Sequence, residues 1–337
     1  MVLIITTLCF SYNYGISAVS KNDLEVIFEI KENSTYLSIA EDLKSNNLIR
    51  SINFYKVYIK IFKPDNLQAG IYKLNENMGV KKIIEKLENN EVVDDSIKLV
   101  IPEGKHIEEV ADIVASSTDL KKDELLDYWQ DTNLINDLID KYWFITDKVK
   151  DSNLRYSLEG YFFPDTYLVS INPTKEEITY KLLDRMDEIL SKYKDKIENN
   201  KYSVHEILTL ASIVEQEAIL DVDRPKIARV FLNRLDGGMK LQSCATIGYA
   251  IGEWKLSYTY KDLQTDSPYN TYMYYGLPIG PGDMPGEASI EAVLNPDDND
   301  YFFFLANVYS STDNKTYYSK TYSEHQSKCL KYLGASC

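Results

Sequence analysis

One glutamate, Glu215, stands where a helix should carry no charge, and its position alone suggests proton chemistry. Residues 205–219 read HEILTLASIVEQEAI. The stretch has no Gly or Pro and its apolar residues recur at helical spacing, which predicts a helix. At about 100° per residue, Leu208, Ala211, Ala218 and Ile219 share the side of Glu215, with Ile207 and Val214 on its flank. Glu206, Thr209, Gln216 and Glu217 gather opposite. Glu217 sits about 200° from Glu215 and is expected on the wetter face, so the two carboxyls cannot work as a pair. A carboxylate on a buried face must find a partner, line a cleft or take up a proton. Burial would raise its pKa, which suits a general acid. The same spacing also fits a core Glu tied to a nearby Arg.

Other chemistries have less material. The three histidines, His106, His205 and His325, lie far apart, and Cys9, Cys244, Cys329 and Cys337 form no C-x-x-C pair. Neither a metal cluster nor a histidine triad is expected, and nothing calls for a cofactor. Any chemistry should rest on carboxylates. The net charge of −15 argues against nucleic acid as a partner. The 27 tyrosines, against 11 phenylalanines, suit sugar faces and half-buried surfaces alike.

The elements around Glu215 suggest two folded parts, as 337 residues allow. Residues 1–20 contain no charged side chain. They just reach the length of a membrane span, so they are expected to be an anchor, with a cleaved signal or a buried strand or helix as the alternatives. Residues 24–30 alternate as a strand does, and residues 36–43 read as a helix after a turn. The same unit recurs 71 residues later in LVIPEG and the helix 107–114, with Asn33 in the place of Gly104 at the turn. A helix at 53–62, a strand near 70–74 and a helix at 79–87 complete a module over residues 22–95. The polar run 89–96 marks its end. Beyond it come an acidic helical stretch at 119–148, an aromatic segment at 158–170, and a long charged helix at 174–198. In the aromatic segment Glu159 beside Tyr161 reads as a cleft wall or as a packed strand edge. After the Glu215 helix, Asp221 or Asp223 can cap a second helix with Pro225 in its first turn and Gly237 beyond its end. An aromatic loop rich in Gly and Pro follows at 267–286. A helix at 288–294, a strand at 301–308, and a closing strand and helix at 317–333 end the chain.

Several of these segments, in one order, resemble a known family: LEGYFFPDTY, LASIVEQEA, VFLNRL with GMKLQS, SPYNTY, GLP-x-GP and PG-x-x-SI-x-A. Together they look like the MltG (YceG-like) endolytic murein transglycosylases, over about residues 25–330. The resemblance implies an α+β protein with a small LysM-like module followed by a mixed α/β catalytic domain, residues 97–335, with a lysozyme-like catalytic helix. It implies a single-pass membrane protein with its catalytic domain outside the cytoplasmic membrane. Peptidoglycan glycan strands would be its substrate and peptidoglycan synthases its partners. The family's catalytic glutamate falls on Glu215. The implied activity is cleavage of the bond from MurNAc to GlcNAc in nascent strands, leaving a 1,6-anhydro end and terminating polymerisation. A hydrolytic muramidase on the same cleft and a non-catalytic wall-binding scaffold are the alternatives. Glu159, Tyr161, Gln242 and Asn270 are expected to contact sugar, with scaffold roles equally open for Gln242 and Asn270. Two positions depart from the family's pattern, Cys244 where it usually has Asp after L-Q-S, and Ile279 where many members have a second proline.

Overall fold

The structure, a computed structural model, describes residues 10–21, 24–31, 33–91, 96–255, 257–306 and 315–334. The chain forms two compact units, one of residues 1–98 with 168–171 and one of residues 99–167 with 172–337. Helices and short strands mix throughout, so the fold is α+β.

In the smaller unit, strand β1 (Glu25–Ile30) pairs antiparallel with β2 (Gly70–Asn75), from Glu25 opposite Asn75 to Ile30 opposite Gly70. The period of two in β1 buries Phe28 and Ile30 and leaves Ile27 exposed. Helices α1 (Ala40–Ser45), α2 (Ile52–Phe62) and α3 (Val80–Glu88) bury Leu43, Tyr55, Ile83 and Leu87 with Leu74 in one core. Helix α1 starts four residues later than the sequence predicts, because residues 36–39 are turns. Asn33 takes φ +64° and Gly104 takes φ +70°, so the two copies of the strand–turn–helix unit share a left-handed turn residue.

Part of the uncharged segment packs on this same unit. Residues 10–15 are helical, and Gly15 lies so close to Phe54 that a Cβ would meet its ring at 2.1 Å. The Val80 N–H donates to Ile16 O (2.9 Å), and Arg50 Nε donates to Ala18 O (2.8 Å). The expected anchor also covers residues 1–9, which lie outside the described residues. Among those described, no helix is long and apolar enough to cross a membrane.

Strands β3 (Ser96–Val100) and β4 (Thr166–Ser170) form a second two-stranded sheet. In the larger unit, α4 (Ile107–Ser117), α5 (Lys122–Tyr128) and α6 (Thr132–Lys141) precede α7 (Lys175–Ser191) and α8 (Lys194–Glu198). The single long helix expected at 174–198 is thus two. Lys192 and Tyr193 donate to Ile189 O and Leu190 O, the tight i to i−3 pattern that closes a helix.

Helix α9 (Val204–Glu217) carries Glu215 and is the centre of this unit. Ser203 and Glu206 form a capping box at its start. Helices α10 (Arg224–Asp236), α11 (Cys244–Ile251) and α12 (Glu287–Leu294) all pack against it. It is therefore buried on nearly all sides, where the sequence predicts one wet face. Thr209 and Ser212 are 1% and 2% exposed. Their hydroxyls are satisfied by the helix itself, donating to His205 O and Thr209 O. The helix ends at Glu217, two residues earlier than expected, and leaves Ile219 exposed. Strands β5 (Phe303–Ala306) and β6 (Thr316–Ser319) pair antiparallel beside α13 (Tyr322–Leu333). Of the strand expected at 301–308, residues 307–308 lie outside the described residues.

Candidate active site

Glu215 projects from the last turn of α9 into a ring of polar groups. Its Oε1 lies 3.0 Å from Arg224 Nη1, and its Oε2 accepts from Gly286 N–H at 3.0 Å. The side chains of Arg224 and Glu215 are 9% and 7% exposed. The partner that spacing alone left open is therefore an arginine, at the first residue of α10. Arg224 in turn donates from Nε to Asp221 Oδ1 and from Nη1 to Ser289 Oγ. A cation at the first residue of a helix opposes the macrodipole. Sequence reasoning passed over Arg224, and that mismatch is the signal that could have pointed to a partner carboxylate.

A second carboxyl comes close. A Cβ built on Gly286 would lie 2.0 Å from Glu103 Oε1, so Glu103 and Glu215 converge on the same glycine. Partial burial raises the pKa of Glu103, and the negative charge of Glu215 raises it further. The turn carrying Glu103 is fixed by Gln216, whose Nε2 donates to Gly104 O (3.0 Å). Sequence reasoning passed over Glu103 because it sits in a turn about 110 residues from α9, with no periodicity to mark it.

Glu217 corrects a further expectation. Its carboxylate is buried at the start of α11, accepting from Ser243 Oγ (2.6 Å) and from the backbone N–H groups of Cys244 and Ala245. Burial raises its pKa, and these donors work against the rise. The short turn after α10 brings the N-terminus of α11 to this side, where a carboxylate suits the free N–H groups. Cys244, at the departure from the family pattern, is exposed, with Sγ 3.2 Å from Tyr272 OH.

Three of the expected sugar contacts are internal. Glu159 is 2% exposed, and its carboxyl accepts from Ile107 N–H (2.9 Å) and Tyr249 OH (2.9 Å). Burial pushes its pKa up to about 8, against those two hydrogen bonds. Tyr161 is fully buried, with its hydroxyl 2.8 Å from His205 Nδ1. His205 Nε2 lies 2.8 Å from Ile279 O, which can only accept, so Nε2 carries the proton and Tyr161 donates to Nδ1. Asn270 is 1% exposed; its Nδ2 donates to Leu263 O and Thr265 O, and its Oδ1 accepts from Tyr272 and Met273 N–H. All three hold the scaffold rather than a cleft wall, because their polar atoms are already used. Gln242 is exposed, with φ +48°, and its N–H donates to Thr271 O.

Asp283 was also missed. It is 1% exposed, and its Oδ1 has no hydrogen-bond partner. Burial raises its pKa well above the ordinary aspartate value; the hydrogen bond from Gln216 lowers it and the charges of Glu215 and Glu159 raise it. The loop carrying it is tied to α9 at both ends, by Gly282 N–H to Ser212 Oγ (3.1 Å) and by Gly286 N–H to Glu215.

Comparison with known proteins adds independent support. Residues 28–331 match the YceG-like family. A Bacillus subtilis (strain 168) protein named endolytic murein transglycosylase is 36% identical over 312 residues, covering 92% of this chain and 85% of the relative. A protein of the same name from Streptococcus pneumoniae serotype 2 (strain D39 / NCTC 7466) is 31% identical over 346 residues, covering 97% of this chain and 62% of the relative. The 2.6 Å crystal structure of a putative yceG-like protein from Listeria monocytogenes superposes with a TM-score of 0.65 at 37% identity, covering 91% of this chain and all of that one. The chain described here belongs to the YceG-like family.

Proposed function

We propose that this chain is an endolytic murein transglycosylase, a lyase that cuts peptidoglycan glycan strands internally, with Glu215 as its acid and base. The observation that carries the reading is the setting of Glu215, a side chain at the end of the central helix with a cation and a backbone N–H on its two oxygens. In the first step Glu215 gives a proton to the oxygen leaving C1 of MurNAc, and the C1–O bond breaks with its electron pair on that oxygen. Arg224 and Gly286 N–H stabilise the carboxylate this step creates, which is where such groups lower a barrier. In the second step the carboxylate takes the proton of the muramoyl 6-hydroxyl as that oxygen attacks C1. The product is a 1,6-anhydro sugar and no water is consumed. The substrate's N-acetyl group stabilises the positive charge at C1, so a second protein carboxylate is not required in that role.

Within this reading α9 is a lysozyme-like catalytic helix and residues 97–335 are the catalytic domain. Residues 22–95 form a LysM-like module that adds glycan affinity, and exposed Gln242 contacts sugar. The catalytic domain faces the cell wall, outside the cytoplasmic membrane. Attachment falls to the uncharged segment 1–20, and strand cleavage beside the synthases ends polymerisation. Mass analysis of purified peptidoglycan digested by the protein tests the reading. Long products ending in 1,6-anhydro-MurNAc are expected. Reducing-end muramic acid would instead make the protein a muramidase, and glycan affinity without turnover would make it a scaffold. Release of the full-length protein by alkaline carbonate would overturn the membrane attachment.

A further inference from the structure

One helix of the smaller unit combines exposed aliphatic side chains with a run of cations. Residues 43–64 carry Lys44, Arg50, Lys56, Lys60 and Lys63 and no acid, in a chain of net charge −15. Half of that stretch is α2, whose Tyr55, Tyr58 and Ile59 are buried in the unit's core. Its outer side is not simply polar. Val57 and Ile61, three and seven residues after Phe54, share that residue's side of the helix. Phe54 itself is covered by the uncharged segment. The Tyr12 ring meets it edge-on with centroids 5.9 Å apart, and Gly15 lies against it. The next two turns of the same side are open, with Val57 and Ile61 42% and 61% exposed. Lys56 and Lys60, one turn apart, run beside them, and Lys63 caps the helix end. Lys56 has an acid within 4 Å, Glu41 at 3.8 Å, with both side chains exposed, a pair worth little.

Two observations narrow the partner. Branched aliphatic side chains beside a row of ammonium groups match the boundary between acyl chains and acidic headgroups, where an amphipathic helix lies in the plane of the surface. A glycan strand offers no acyl layer to cover Val57 and Ile61. The uncharged segment is also pinned to the start of this helix, since Arg50 donates from Nε to Ala18 O (2.8 Å) and from Nη2 to Val19 O (3.0 Å). A bilayer reached by that segment is thereby brought beside α2.

We propose that α2 docks on the surface of an acidic phospholipid bilayer, with Val57 and Ile61 in its outer acyl layer and Lys56, Lys60 and Lys63 at its headgroup phosphates. The inference rests on the attachment reading for bringing a bilayer to this face, and it goes beyond that reading in fixing which side of the module lies on lipid.

Amine labelling of the full chain tests it, with the chain added to preformed vesicles of phosphatidylcholine alone or mixed with phosphatidylglycerol and each lysine read by mass spectrometry. Lys60 and Lys63 should label at least about threefold more slowly on the acidic vesicles, because attraction to the phosphates holds a lysine at such a surface. Lys121, a largely exposed lysine of the larger unit, should label alike on both. Val57→Ser with Ile61→Ser, at side chains already exposed and so safe for folding, should bring Lys60 and Lys63 to within about twofold of their rates on neutral vesicles. Equal labelling on both vesicles, equal slowing of Lys121, or full slowing in the double variant overturns the proposal. Flotation of the vesicles in alkaline carbonate reads attachment separately. Chain that floats with Lys60 and Lys63 open keeps the anchor and removes the docked face, whereas slowed labelling with release into carbonate keeps the face and removes the anchor.

Discussion

Two neighbouring regions of the larger unit bury carboxyls to a similar depth and treat them in opposite ways. At the end of α9, Glu215 meets a guanidinium and a backbone N–H, and Glu217 meets a hydroxyl and two N–H groups at the start of α11. Behind them, Glu159 has only one N–H and one phenol, and Asp283 keeps an oxygen with no partner. Burial alone therefore does not decide what an acid does here. The first region gives each carboxylate two or three donors, although burial still raises the pKa of Glu217, and the second leaves burial less opposed and favours the protonated form. The first suits a group that gains and loses a proton in turnover, the second groups that stay neutral and hold structure.

The largest effect should come from removing the proton of Glu215. Glu215→Gln keeps an oxygen for Arg224 or Gly286 N–H, and Arg224 retains Asp221 and Ser289. Loss of acid–base work typically costs about 10²–10⁴-fold in rate. Anhydromuropeptide release should fall by that factor with melting little changed. Near-normal release would return Glu215 to a structural role.

The neutral region should show itself in the pH dependence of stability. Glu159 has a pKa of about 8 in the folded protein against an ordinary value of 4.5. The folded state then binds more protons than the unfolded state between those values, so stability falls as pH rises from about 4.5 to 8. Below 4.5 both states are protonated and nothing is lost; above 8 the full cost is present, on the order of 5 kcal/mol at most. Glu159→Gln should flatten this slope in urea midpoints measured between pH 5 and 8. An unchanged slope would assign it to other groups.

Glu217 should separate from Glu215 by the kind of damage it causes. Ser243 Oγ can turn to accept from an amide, but the N–H groups of Cys244 and Ala245 then meet a neutral oxygen in place of a carboxylate, so Glu217→Gln weakens two charge-assisted hydrogen bonds, which costs about 1–3 kcal/mol. Denaturant midpoints should drop accordingly, while activity per folded molecule stays within a few-fold. A large loss of turnover without destabilisation would show that the start of α11 takes part in the reaction.

Much of this was legible in the sequence. Period and punctuation located β1, β2, α2, α3, α9, α10 and α12 to within a few residues, because each has a stripe or a cap that local chemistry fixes. Glu215 was legible for the same reason, being the charge that broke a stripe. The failures share a cause. Whether Glu159, Tyr161 and Asn270 line a cleft or hold a scaffold depends on what lies opposite, and their partners are 44–90 residues away or in loop backbone. A helical wheel also cannot show that three other helices cover α9, so it wrongly left Thr209 and Glu217 to solvent.

The smallest effect concerns the contact between Glu103 and Gly286, which joins the turn after β3 to the Glu215 site. Gly286 has φ −75° and ψ 167°, a conformation open to any residue, so its backbone does not demand glycine. A Cβ would, however, meet the end of the Glu103 side chain, which must then shift. Gly286→Ala keeps the N–H that Glu215 needs and forces the Glu103 carboxyl to move. In a chain carrying Glu103→Ala the same methyl meets no carboxylate and should cost little. A double-mutant cycle on peptidoglycan cleavage should therefore show coupling of about 0.5–1.5 kcal/mol, roughly 2–12-fold, with Gly286→Ala milder in the Glu103→Ala background. Strictly additive losses would mean that Glu103 stands near Glu215 without acting on it, leaving Arg224 and Gly286 N–H as the groups that set its environment.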